Sequence, residues 1–145
     1  MIKTISIYRS LIIVSIACVI LWQNIIYIDH LWISDIEAEG LKYDTGGAII
    51  SFPDWVWLLN DIIWVLLLFG LFFFKRIALI GFISLYIIII VLNPFFGLSV
   101  QTGLQSSIAI IEGLVDGAII TMSLFTSIIN EFKSRSKGRR KKLSE

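Results

Sequence analysis

The sequence predicts an all-α membrane protein: four transmembrane helices in an antiparallel bundle, both termini cytoplasmic. Three observations predict it. The 145-residue chain is 57% hydrophobic and 16% charged, with a mean hydropathy of +0.90, against roughly 45–50% apolar and 25% charged residues in soluble domains. Four continuous apolar runs, at about 5–28, 53–74, 77–93 and 104–129, each reach the ~17–25 residues a helix needs to cross a ~30 Å hydrocarbon core. All of the 12 Lys and Arg residues except Lys42 fall on one side of a four-span arrangement, the side that the positive-inside rule makes cytoplasmic. Barrel strands are excluded because the runs lack polar and apolar alternation, and helices satisfy their own backbone in lipid. The chain thus divides into a transmembrane domain over 1–132, with an outer loop over 29–52, and a basic cytoplasmic tail over 133–145.

The first run follows Lys3, encloses Arg9 and continues past Cys18 to Ile28, longer than the apolar stretch of a cleaved signal, so it is read as a span. Cys18 is the only cysteine, which excludes a disulfide framework, a cysteine-bound zinc and a CxxC redox centre. Gln23 and Asn24 stand near its outer end. The outward segment from Asp29 to Asp54 holds six carboxylates and one lysine. Its lone His30, without HxH or HExxH spacing, reads as a solvated face rather than a metal ligand. Trp22, Trp32, Trp55 and Trp57 gather near this boundary as an aromatic belt.

Pro53 suits the first turn of the second span, with Asp54 facing the positive helix end. Lys75 and Arg76 alone separate the second and third spans, which implies a tight hairpin. Asn93 and Pro94 close the third span, and Gly97 to Ser107 reads as turn-rich and weakly polar. In the fourth span Gly113 and Gly117 form a GxxxG step, flanked by Ala109 and Thr121. Small residues let membrane helices approach closely, so these glycines are expected to pack against a helix of this chain or of a second copy. The tail cations, including Arg139, Arg140, Lys141 and Lys142, read as a topology anchor that binds anionic lipid headgroups. Nucleic-acid binding is not expected, since no aromatic residue is interleaved with these cations.

Three carboxylates inside the spans carry the functional signal: Asp61, Glu112 and Asp116. An acid at a helix centre costs about 2.5–3.5 kcal/mol, while each large apolar residue returns only about 0.3–0.6. The fourth helix therefore needs partners or neutral acids to insert. Counting ~1.5 Å per residue puts the three acids roughly 8–14 Å deep, in one layer with Gln23, Asn24 and Asn60. The other half of the bundle offers only Ser15, Ser84, Tyr86, Thr121, Ser123 and Thr126. Glu112 and Asp116, four apart, share a helix face, and no base is buried to pair with them. Desolvation and repulsion disfavour the doubly ionised pair, leaving a protonated acid, a shared proton or a bound cation. The six polar residues therefore form a candidate ion- or ligand-binding layer, unless they serve only to fix helix packing.

No GxSxG, Walker or Cys and His nucleophile pattern is present, so no enzyme activity, catalytic residue, metal or cofactor is expected. In topology alone the arrangement resembles immunity proteins that protect bacteria against some pore-forming colicins, small membrane subunits of phage-defence systems, and some holins. That resemblance rests on no specific residue. It implies a non-enzymatic inner-membrane module, homo-oligomeric or bound to a membrane partner, serving immunity or antiviral defence. The alternatives are a proton- or cation-responsive channel or carrier using the buried acids, and a holin-like permeabilising protein.

Overall fold

The structure, a computed structural model, describes residues 2–29, 52–96 and 101–133. Most of them lie in four helices: α1 (Ile2–Asp29), α2 (Asp54–Phe72), α3 (Arg76–Leu92) and α4 (Gly103–Phe125). No strand occurs among the described residues. All four helices are long and apolar enough to cross a membrane. They cover one another sparingly: Ile77 is 83% exposed, Phe125 82% and Leu114 71%. Apolar surface on this scale is suited to hydrocarbon rather than water.

Each helix boundary has a local cause. Pro53 is the N-cap of α2, with extended backbone at φ −60° and ψ 150°, and its carbonyl accepts the Val56 N–H at 2.9 Å. At the other end of α2, Phe74 N–H donates to Leu71 C=O and Lys75 N–H to Gly70 C=O, the two bonds of a Schellman turn. The residue in the left-handed position is Phe74, at φ 55°, where glycine is usual. α3 starts directly after Lys75 and gives way to a single 3-10 turn, Asn93–Phe95. There Pro94 stands early enough that its missing N–H removes no helical bond.

The limits of α4 differ from the sequence reading at both ends. It begins at Gly103, inside the stretch read as turn-rich, because Thr102 and Gln105 form a capping box. Gln105 N–H donates to Thr102 Oγ1 at 3.2 Å, and Thr102 N–H donates to Gln105 Oε1 at 3.0 Å. It stops at Phe125 rather than 129. Thr126 turns extended, at φ −116° and ψ 179°; its hydroxyl donates to Met122 C=O at 2.6 Å and accepts Ile128 N–H at 3.3 Å. Such local bonds compete with the helical ladder. Helix resumes over 128–133.

The principal packing runs α3 to α2 to α1 to α4. α2 and α3 meet most closely at two glycines. A Cβ on Gly70 would stand 2.5 Å from Ala78 Cβ, and one on Gly81 2.8 Å from Leu67 Cδ2. Near the α2–α3 turn, Tyr8 stacks on Phe74 at 5.8 Å, and Phe132 meets both rings edge-on at 6.4 and 5.5 Å. The Arg9 guanidinium lies over Phe72 and Phe74 at 5.0 and 5.5 Å. The start of α1, the turn leading to Lys75 and Arg76, and the segment 128–133 therefore share one end. Toward the far end, Phe52, Trp57 and Phe96 form a second aromatic group. Of the sequence readings, the acidic outer loop over 30–51 and the headgroup cations Arg139, Arg140, Lys141 and Lys142 lie outside the described residues.

Candidate functional site

Helical spacing gives each span one stripe that faces the others. On α1 the stripe holds Val19, Trp22 and Gln23; on α2 it holds Trp57, Asn60, Asp61 and Trp64. On α3 it holds Tyr86 and Ile89, continued by Asn93 in the 3-10 turn, and on α4 Ala109, Glu112, Gly113 and Asp116. These stripes enclose a cavity of about 700 Å³. Five of the six residues of the polar layer predicted from sequence line it: Asp61, Glu112, Asp116, Gln23 and Asn60. Asn24 does not; its Nδ2 donates to Ile20 C=O one turn back, at 2.7 Å, so its amide is satisfied within α1.

The three acids have different surroundings. Asp116 is 1% exposed and accepts a hydrogen bond from Ser15 Oγ at 2.7 Å. Asp61 accepts from Gln23 Nε2 on one oxygen, and from the neighbouring Asn60 amide at 3.3 Å on the other. Glu112 is half-buried and has no hydrogen-bond or ion-pair partner among the described residues, while the charges of Asp116 and Asp61 both bear on it. No Lys, Arg or His is among the described residues that line the cavity. The acids do not converge on one point, and among the described residues no three Asp, Glu, His or Cys are placed to hold a metal ion.

Trp64 belongs to this wall as well. It is 6% exposed, and its buried indole N–H has no hydrogen-bond partner, although Asp116 stands close by. Its ring meets Tyr86 at 6.0 Å and Phe82 at 4.8 Å. With Trp22, Trp57 and Phe96, these rings make the cavity aromatic as well as acidic.

Below Asp116 the bundle closes. Ile12, Leu68, Phe82 and Ile119 are fully buried there. Ser123 Oγ donates to Ile119 C=O, leaving the Tyr8 hydroxyl to donate to Ser123 Oγ, each at 2.8 Å. Thr121 and Thr126 bond to carbonyls of their own helix. Two residues assigned to the apolar half belong elsewhere: Tyr86 lines the cavity and Ser15 supports Asp116. Counting depth residue by residue misses this, because it ignores how one helix is shifted along another.

Among the described residues, Gly113 and Gly117 make no close contact with a neighbouring helix. A Cβ at either position would meet nothing within 4 Å, and Gly113 borders the cavity. Among the described residues the close glycine contacts are those of Gly70 and Gly81, which carry no GxxxG spacing. Trp64 and Tyr86 were also missed as site residues. The signal that could have found them is the stripe itself: Trp57, Asp61 and Trp64 recur at steps of four and three on the face that carries the acid. Comparisons of this chain with protein-family models, curated proteins and solved structures return no match.

Proposed function

We propose that this protein is a non-enzymatic multi-pass protein of a bacterial inner membrane, a cation-responsive channel or carrier whose acidic cavity opens toward the exterior. One observation carries the reading: Asp61, Glu112 and Asp116, from two different helices, line a single cavity that no base shares among the described residues. Ionisable groups within a membrane are expensive and mark ion pathways by default. The orientation draws support from the pairing of residues across helices. Tyr8 with Ser123 and Ser15 with Asp116 run in opposite senses along α1 and α4, as do Tyr8 with Phe74 and Gln23 with Asp61 along α1 and α2. These pairs and the one-sided cations support the reading of an antiparallel bundle with cytoplasmic ends.

The test is cation and proton flux into liposomes containing the purified chain. The wild type is expected to conduct above empty liposomes, and the combined Asp61→Asn, Glu112→Gln and Asp116→Asn variant to lose that flux. Flux unchanged in the triple variant, or no flux above empty liposomes, overturns the reading. The second reading is a homo-oligomeric or partner-binding module serving immunity or antiviral defence. It draws its support from Gly117, which lies outside the cavity lining and where a Cβ would meet nothing within 4 Å, leaving room for a helix from outside the chain.

A further inference from the structure

The geometry points to an organic cation with an apolar body as the occupant of the cavity, its charge held by Glu112 and its body by the aromatic walls. This rests on the reading of the cavity as a cation site and names the class of cation. Size argues first. Sites for drug-sized molecules span about 300–1,000 Å³, and the cavity measures about 700 Å³. A bare metal ion would fill a small part of it, and among the described residues no three ligands are placed to replace its hydration shell.

The lining argues next. Trp22, Trp57, Trp64, Tyr86 and Phe96 line the cavity, and aromatic rings attract a cation through their quadrupoles, most strongly where water is excluded. Asp61 is engaged by Gln23 and Asn60, and Asp116 by Ser15. Glu112 is the acid left without a partner among the described residues, so it is the one free to pair with a ligand's charge. An anion is disfavoured by three carboxylates and no lining base among the described residues.

The test uses the full chain in lipid nanodiscs and reads its tryptophan fluorescence, since three tryptophans line the cavity. Titration with benzyltrimethylammonium is expected to give a saturable change, while the neutral isostere neopentylbenzene binds about tenfold or more weakly. Glu112→Gln should weaken the cation by about tenfold and leave the isostere unchanged, whereas Glu112→Asp, which keeps the charge, should stay within about threefold. Equal binding of cation and isostere, as in an apolar crevice for lipid tails, overturns the proposal. So does equal loss in Glu112→Asp and Glu112→Gln. Flux that depends on the three acids without benzyltrimethylammonium binding overturns the ligand class alone; absence of both overturns the carrier reading as well.

Discussion

Phe74 holds a backbone conformation that its side chain opposes and its surroundings enforce. The left-handed region costs a bulky L-residue about 1–2 kcal/mol, yet Phe74 closes the turn after α2 at φ 55°. Its ring is 1% exposed, stacked on Tyr8 and met edge-on by Phe132. A glycine would close the same turn without strain but would leave the ring's place empty. Replacing a buried Phe with a small residue costs on the order of 3–5 kcal/mol. Alanine keeps the backbone penalty and loses the ring; glycine loses the ring and sheds the penalty. Phe74→Gly should therefore be less destabilising than Phe74→Ala, by about 1 kcal/mol, in a reversible unfolding titration in mixed micelles. The opposite order would remove backbone strain from the account. Lys75 and Arg76 made the hairpin legible in the sequence. That its left-handed residue would be an aromatic was not, because the compensation comes from Tyr8 and Phe132, both remote in the chain.

At the level of elements, the glycines divide by what they touch. Membrane helices associate through close contact and hydrogen bonds, because lipid tails compete for apolar surface. Gly70 sits where α2 and α3 leave no space for a side chain, and Gly81 where a side chain would have to displace the end of Leu67. Gly70→Leu should therefore separate the hairpin, read as loss of a Trp64 emission shift on unfolding or as a lowered unfolding midpoint. Gly113→Leu, placed where a Cβ meets nothing within 4 Å, should leave the midpoint nearly unchanged. Equal losses in the two variants would contradict the packing described. Helix number and approximate limits were readable from the apolar runs, since a ~30 Å hydrocarbon core sets the required length. The true start of α4 was also within reach, because Thr102 and Gln105 have capping-box spacing. Which glycine is tight was not, since the GxxxG pattern records small size on one helix and says nothing of what stands opposite.

On the scale of the molecule, the four helices form an open series in which α1 lies between α2 and α4, and every span contributes to one acidic, aromatic cavity. Asp61, Glu112, Asp116, Gln23 and Asn60 were legible as a layer because depth can be counted along a helix. Their union in one cavity depends on how each helix is rotated, which the polar stripes record and depth alone does not. The open face of α4 at Gly117 bears on assembly. If a second copy or a partner helix packs there, Gly117→Ile should abolish crosslinked species in native membranes while insertion remains intact. Unchanged crosslinking would rule out that face as an interface.

The bond between Ser15 and Asp116 joins residues 101 apart in the chain, so the hydroxyl that meets the acid is synthesised well before it. The costliest helix to release into lipid is thus the last of the four to be made, after the residue that receives its carboxylate.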